Sequence, residues 1–308
     1  MVLLKKFLRR AIVAVIGLAL LLGIGYYGNW PFFLGIVLLA IVALSEYYSA
    51  LQAKDMRPGV GLGWVCAVLL LLVTERAELI EAASGASNVV TGPAAMNALQ
   101  YILIILFACV TLSLIAQFGN RPGQSAVVNS AVTVFGVVYI GLLMSFVLRM
   151  RYLDVPTMVG NAEAGEFAKR MGGLLLVMVP VWASDTFAYL GGNLLGKHKL
   201  APRISPNKTV EGGAAGLIAA VLGALAMGAW LGLGTGHSLV LGLTMGILGP
   251  LGDLGKSVLK RDLGIKDFGS AFGPHGGVLD RFDAILFCMP LVYWYLWAVF
   301  LKLPSTGA

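Results

Sequence analysis

Residues 99–118 read LQYILIILFACVTLSLIAQF, a run of 20 residues without a charged side chain. An α-helix of about that length crosses the roughly 30 Å hydrocarbon core of a bilayer, so the run predicts a membrane-spanning helix. The whole chain has this character, because 58% of its residues are hydrophobic, 12% are charged and its mean hydropathy is +0.87. Such values lie outside the usual range of soluble globular domains. We predict an all-α fold, a polytopic bundle of membrane helices.

About nine runs have the length and composition of membrane spans. They are 11–28, 30–50, 60–74, 99–118, 126–148, 172–192, 212–234, 238–254 and 284–303. We expect the first run to be an uncleaved span rather than a secretory signal. No small-residue cleavage site follows it, and Tyr26, Tyr27 and Trp30 fit an interfacial aromatic belt.

Basic residues follow the even-numbered spans, as expected for cytosolic loops when a basic N-terminus is also cytosolic. They are Lys54, Arg57, Arg121, Lys197, Lys199, Arg203, Lys208, Lys256, Lys260, Arg261 and Lys266. Two long loops, 193–211 and 255–283, are therefore expected on one cytosolic face, where they can meet in one site. The expected outer loops fit less uniformly, because 75–98 is acidic whereas 149–170 carries several basic residues.

The net charge of +7 would suit nucleic acid in a soluble protein. In a membrane protein, the same excess marks cytosolic loops and sites for anionic lipids or phosphates, so we expect membrane-lipid partners and no nucleic acid. Cys66, Cys109 and Cys288 lie in apolar runs without paired spacing. They predict packing residues rather than disulfides or a zinc site.

The run GDLGKSVLKR at 252–261 closes the eighth predicted span. If the helix continues, Asp253, Lys256, Ser257 and Lys260 fall on one face. A carboxylate near a helix C-terminus meets the negative end of the macrodipole, so Asp253 requires a cation. Either a lysine of the same helix or a bound metal ion could supply the positive charge that Asp253 requires.

The run HGGVLDRFD at 275–283 leads into the last span. Asp280 and Asp283 project from one face of the first turn, where acids are also favoured by the helix dipole alone. Together with Asp253 they place three carboxylates at the mouths of two spans among many basic residues. Hard oxygen ligands of this kind suit Mg²⁺ that shares the phosphate oxygens of a substrate. His275 lies between Pro274 and two glycines that let backbone approach a ligand closely, and it is expected to position or hydrogen-bond a phosphate.

Span six carries Asp185 inside the run VMVPVWASDTFAYL. An Asp in mid-span costs about 2.5–3.5 kcal/mol on insertion scales, so it is a candidate functional residue, with Tyr189 and Asn193 on its face. The run SPNKTVEGG at 205–213 offers hydroxyls, backbone N–H groups and a lysine at a helix start, which suits an anion or a plain helix cap. Residues 191–198 match a phosphate-binding loop only superficially, because His198 replaces its Ser or Thr and a membrane helix precedes it.

The run from Ser257 to Asp283, SVLKRDLGIKDFGSAFGPHGGVLDRFD, resembles the signature of the CDP-diacylglycerol synthases, or phosphatidate cytidylyltransferases. The upstream runs SDTFAY at 184–189 and SPNKTVEG at 205–212 are also similar to that family, although Asn207 stands where many members have a second lysine. The resemblance covers about 180–290. Residues 1–150 match only as a set of membrane spans.

The resemblance implies transfer of the cytidylyl group of CTP to phosphatidic acid, giving CDP-diacylglycerol and pyrophosphate. A homodimer is expected from the resemblance alone. Nine spans with an active site that faces the cytoplasm, as the charge pattern indicates, suit a bacterial plasma membrane. Spans one to five, within 1–150, would form an N-terminal scaffold. Spans six to nine, within 151–308, would form the catalytic region with loops 193–211 and 255–283.

The resemblance also assigns roles to individual residues. Asp253, Asp280 and Asp283 would hold Mg²⁺, with a second cation such as K⁺ allowed. The catalytic set would be Asp253, Lys260, Arg261, His275, Asp280 and Asp283. The substrate-binding set would be Ser184, Asp185, Tyr189, Asn193, Ser205, Lys208, Thr209, Glu211, Lys256, Ser257, Lys266 and Asp267.

Three other classes share parts of this pattern. A CTP-dependent polyprenol or phytol kinase has a related architecture, but the HGGxxDRxD stretch argues against it. CDP-alcohol phosphotransferases also place Asp residues at helix mouths, but their characteristic spacings are absent from this sequence. A transporter would explain an intramembrane Asp, but it would not need two basic loops on one side.

Overall fold

The computed structural model describes residues 20, 22–84, 93–119, 125–161, 163–271 and 276–301, apart from the side chains of 80–84, 93–96 and 301. Nearly all of these residues belong to helices. The helices are α1 (Asn29–Gln52), α2 (Val60–Ser84), α3 (Pro93–Ile115), α4 (Ala126–Tyr152), α5 (Val155–Met158), α6 (Glu166–Leu195), α7 (Val210–Leu231), α8 (Thr235–Leu263) and α9 (Leu279–Leu296). α4 contains a π-helical turn at Val137–Leu142.

Eight of the described helices are long and apolar enough to cross a membrane. They correspond to predicted spans two to nine, so the prediction of a polytopic all-α bundle is confirmed for the described part of the chain. The first predicted span, 11–28, lies largely outside it, although residues 22–27 are helical. The two shortest predicted spans, 60–74 and 238–254, underestimate the helices that contain them, since α2 has 25 residues and α8 has 29.

The predicted loop 75–98 begins too early, and so does 149–170. Glu75 and Glu78 lie within α2 and Arg149 lies within α4. Arg149 forms an ion pair with Glu78 at 3.4 Å, and the Tyr152 hydroxyl donates to Glu75 at 2.6 Å. One acid and one base that fitted the charge pattern poorly, Glu78 and Arg149, therefore pair between α2 and α4.

The predicted loop 255–283 is also too long, because α8 continues to Leu263 and the connection to α9 is 264–278. In the predicted loop 193–211, a two-stranded antiparallel sheet joins α6 to α7. Its strands are β1 (Lys199–Ala201) and β2 (Ser205–Thr209). This hairpin was not predicted, because β1 has only three residues and the polar β2 contains a proline, so neither shows the hydrophobic alternation that marks a strand in sequence.

Glycines bring α6 to α9 into close contact. A Cβ at Gly216 of α7 would lie 2.9 Å from the carbonyl oxygen of Ser184 in α6. A Cβ at Gly252 of α8 would lie 2.9 Å from the Phe287 ring of α9. Small residues allow membrane helices to approach closely, and here they bring the ends of α8 and α9 side by side.

All three cysteines are buried and unbridged, in agreement with the prediction that they are packing residues. Cys66 and Cys109 belong to a small apolar cluster between α2 and α3. Cys288 belongs to the main core, which also receives side chains from α1, α4, α6 and α8.

Candidate active site

The end of α8 carries one face of charged side chains. Gly264 adopts a left-handed conformation, with φ of 63°, and closes the helix. Because the helix continues through its last turns, Asp253, Lys256 and Lys260 lie on one face, as the sequence predicted.

Lys256 lies at the centre of three carboxylates and is only 5% exposed. Its ammonium lies 3.2 Å from Asp253 Oδ1 and 3.8 Å from Asp280 Oδ1, and it contacts Asp283 Oδ2. It also donates to the Asp280 carbonyl at 3.1 Å. A buried ammonium is stable only when its charge is paired and hydrogen-bonded, so these contacts hold it in place.

Asp280 joins Lys260 to the segment between α8 and α9. Its Oδ1 lies 2.5 Å from the Lys260 ammonium, which is also 3.4 Å from Asp267. Its Oδ2 accepts hydrogen bonds of 3.1 Å from the backbone N–H groups of Phe268 and Gly277. Asp280 therefore fixes both ends of the segment against α8.

The hairpin also contacts α8. Lys208 of β2 lies 2.7 Å from Asp253 Oδ2 and donates to the Pro250 carbonyl at 3.3 Å. Arg261 donates to the carbonyl of Ile204, next to β2, at 3.1 Å. The two regions predicted to meet in one site are thus in contact. We call the six side chains that converge here the charged cluster: Lys208, Asp253, Lys256, Lys260, Asp280 and Asp283.

Asp185 of α6 approaches the charged cluster from a third helix. It lies near enough to Asp253, Lys208 and Lys256 for their charges to act on it. Its side chain is exposed at the surface of the described structure, in contrast to the buried Lys256. An exposed carboxylate beside a cationic cluster is accessible to a ligand.

The neighbours of Asp185 on α6 are placed differently. Ser184 is 1% exposed and packs against Gly216 of α7, on the helix–helix contact. Tyr189 is 70% exposed and Asn193 is exposed as well. Of the predicted nucleotide-pocket residues on α6, Asp185 is the one that the structure brings to the charged cluster.

Thr209 and Glu211 make local contacts at the start of α7. The Thr209 hydroxyl caps the helix by accepting from Gly212 N at 3.1 Å. The Glu211 carboxylate accepts from the backbone N–H groups of Lys197 and His198 and lies 2.6 Å from His198 Nδ1. These contacts match the alternative of a plain helix cap, whereas substrate binding by either residue stays a prediction.

Three of the described site residues that were predicted contribute less to the geometry. Ser205 in β2 and Ser257 in α8 are half-buried, and Lys266 is exposed after the end of α8. His275 lies outside the described residues.

Sequence reasoning missed Glu46 of α1, in the half of the chain expected to be scaffold. Glu46 is 9% exposed, and its Oε2 accepts from Leu279 N at 3.2 Å. A Cβ at Gly269 or Gly277 would overlap its carboxylate. The signal was present, because Glu46 interrupts an apolar span just as Asp185 does.

Tyr139, in the π-helical turn of α4, was also missed. It is 6% exposed, its ring packs against Phe287 at 6.0 Å between centroids, and its hydroxyl has no hydrogen-bond partner among the described residues. Asp283 and Asp253 lie near enough for their charges to act on it. π-helical turns often mark functional sites, but a tyrosine in an apolar run gave no sequence signal.

Comparison with known proteins covers nearly the whole chain. Residues 8–299 match the cytidylyltransferase family. The chain belongs to this family. It is 33% identical to the phosphatidate cytidylyltransferase of Synechocystis sp., and the match covers 94% of this chain and 96% of that protein. The enzymes of the same name from Staphylococcus saprophyticus and Staphylococcus epidermidis are 30% and 29% identical, and each match covers 92% of this chain and 96% of the relative.

The charged cluster of this cytidylyltransferase-family chain has a donor set that suits a divalent ion only in part. Among the described residues, no three His, Cys, Asp or Glu side chains converge closely enough to hold a metal. Asp253 and Asp283 both pair with the Lys256 ammonium, whereas Asp280 is directed mainly to Lys260 and to backbone N–H groups. Mg²⁺ takes one or two protein carboxylates plus substrate phosphates, so Asp253 and Asp283 fit it better than all three together.

Proposed function

We propose that this protein transfers the cytidylyl group of CTP to phosphatidic acid and releases pyrophosphate, giving CDP-diacylglycerol. The observation that carries the proposal is the charged cluster, built by two helix ends and the hairpin in a chain of the cytidylyltransferase family. The relatives named phosphatidate cytidylyltransferase, which match over almost their full length, support this choice of substrates.

The acceptor needs little activation in this reaction. The second ionisation of a phosphomonoester lies near pH ~6, so phosphatidic acid is largely a dianion at neutral pH. One of its oxygens forms a bond to the α-phosphorus of CTP, and the bond from that phosphorus to the bridging oxygen of the β-phosphate breaks. The bonding pair leaves with pyrophosphate, so the step needs no oxidant and no proton from a general acid.

The protein then has to position phosphates and neutralise their charge. Lys208 and Lys260 are partly exposed beside the carboxylates, and Arg261 is exposed next to Lys260. All three cations are proposed to bind the phosphate groups. Lys256 is buried and is proposed to keep the carboxylates at a fixed spacing. Asp253 and Asp283 are proposed to hold Mg²⁺, which would supply further charge neutralisation at the phosphates.

The proposal extends to location and assembly. We propose that the charged cluster faces the cytoplasm of a bacterial cell, where CTP is made, and that the eight apolar helices anchor the protein in the plasma membrane. The basic residues near the cluster support this orientation, because cytosolic loops are enriched in Lys and Arg. A homodimer is proposed from the family resemblance.

The product formed from CTP distinguishes this reaction from that of a CTP-dependent polyprenol or phytol kinase, because the kinase releases CDP and the proposed reaction releases pyrophosphate. Purified protein in detergent would be given CTP, phosphatidic acid and Mg²⁺, with parallel reactions that contain EDTA or ATP in place of CTP. We expect pyrophosphate only when CTP, lipid and Mg²⁺ are all present. CDP formation with an added polyprenol would contradict the proposal and indicate the kinase.

A further inference from the structure

We infer that Glu46 of α1 is a positioning residue that holds Gly269, Gly277 and the start of α9 in place, and through them Asp280 and Asp283. The expected effect of Glu46 on catalysis rests on the proposed function. Its effect on the position of the backbone before α9 does not. It gives the N-terminal half of the chain a direct part in the site.

The Glu46 carboxylate contacts described parts of the segment between α8 and α9 and the first residue of α9. Its Oε2 accepts from Leu279 N at 3.2 Å. The backbones of Gly269 and Gly277 pass so close to its carboxylate that a Cβ at either glycine would overlap it. The side chain is 9% exposed, so Glu46 lies beneath the segment.

Glu46 and Asp280 hold the same two points of the segment. Asp280 accepts from the N–H groups of Phe268 and Gly277, and Glu46 contacts Gly269 and Gly277. One carboxylate comes from α1 and the other from α9. The described parts of the segment are therefore held between α1 and α9, two helices that are far apart in the chain.

The hydrogen bond to Leu279 also positions α9. Leu279 is the first residue of that helix, and the first N–H groups of a helix lack partners within it. A carboxylate at this position satisfies one of them and interacts favourably with the helix dipole. Asp280 is the next residue and Asp283 follows one turn later, so a shift of Leu279 would displace both. Small misplacements of reacting groups lower catalytic rates strongly.

Three variants test the role by kinetics. We expect Glu46→Ala to lower kcat by about ten- to a hundred-fold, as loss of outer-shell partners typically does. Glu46→Gln keeps an acceptor for Leu279 N and should stay within about three-fold of wild type. The matched control is Glu78→Gln, which alters a buried glutamate that pairs with Arg149 elsewhere. It should keep wild-type kcat and KM for CTP. Wild-type kcat in folded Glu46→Ala would overturn the inference.

A second measurement is independent of activity. Hydrogen–deuterium exchange of the purified protein should show faster exchange at Phe268, Gly277 and Leu279 in Glu46→Ala, but not in Glu78→Gln. Unchanged exchange would overturn the inference even if kcat falls. If wild-type protein releases no pyrophosphate, the proposed function fails, and the exchange data alone decide the role of Glu46. If Glu46→Ala does not fold, the same comparison is made with Glu46→Asp, whose shorter side chain does not reach Leu279 N.

Discussion

The Lys256 ammonium of α8 contacts the Asp283 carboxylate of α9, and these side chains are 6% and 8% exposed. Breaking a buried pair by removing one partner leaves an uncompensated charge. The pair joins the ends of two membrane helices and brings Asp283 next to Asp253. It is therefore the contact around which the proposed site is built.

Asp283→Asn should abolish turnover while the protein still folds. The amide has nearly the same shape and can still accept from Lys256, but the negative charge is lost. We expect pyrophosphate release to fall by about a hundred-fold or more, with the unfolding temperature changed little. Asp262→Asn, an exposed acid of α8, is the control and should behave as wild type. Wild-type turnover in Asp283→Asn would remove Asp283 from the site.

Lys208→Met should weaken the binding of CTP. Lys208 pairs with Asp253 at 2.7 Å and is partly exposed, so its ammonium can also reach a phosphate. Loss of one charge-assisted hydrogen bond should raise KM for CTP by about ten-fold. Lys199→Met, on the exposed strand β1, should leave KM unchanged. Equal KM values in the two variants would argue against a phosphate contact at Lys208.

Tyr139→Phe should lower activity without lowering stability. The hydroxyl is buried beside the carboxylates and has no hydrogen-bond partner among the described residues. A buried hydroxyl without a partner costs about 1–3 kcal/mol, so its removal should leave the unfolding temperature equal or higher. If the hydroxyl donates to a substrate, kcat/KM for phosphatidic acid should fall by about three- to ten-fold. Unchanged kcat/KM would show that the substrate does not use this hydroxyl.

Thr209→Ala tests whether Thr209 caps a helix or binds substrate. Loss of the cap at α7 should cost about 1 kcal/mol of the free energy of unfolding, while KM for CTP stays constant. Thr209→Ser keeps the hydroxyl and should restore the stability. A rise in KM at unchanged stability would instead support the substrate contact that the sequence predicted.

Much of the fold was predictable because lipid imposes a simple rule on sequence. Runs such as 99–118 and 212–234 have to form helices, since an unpaired backbone group in hydrocarbon is costly. Helix ends were less predictable. α8 extends into charged residues because Asp253, Lys256 and Lys260 are neutralised by partners from the hairpin and from α9. The sequence does not display those contacts.

The candidate site was predictable where charges interrupt an apolar pattern, as at Asp185 and Asp253. Glu46 carried the same signal but lay in a half of the chain without recognisable motifs, so it was overlooked. Tyr139 could not have been found, because its significance comes from packing between α4 and α9. Whether the two halves act as scaffold and catalytic region stays a prediction, although Glu46 of α1 accepts a hydrogen bond from Leu279 at the start of α9.

The fate of the CTP phosphates tests the central claim most directly. CTP labelled at the α-phosphorus and CTP labelled at the γ-phosphorus would be supplied separately with phosphatidic acid and Mg²⁺, and label would be counted in the extracted lipid. The account predicts that the α-label enters the lipid and the γ-label is released as pyrophosphate. Label from the γ-position in lipid, or none from the α-position, would contradict it.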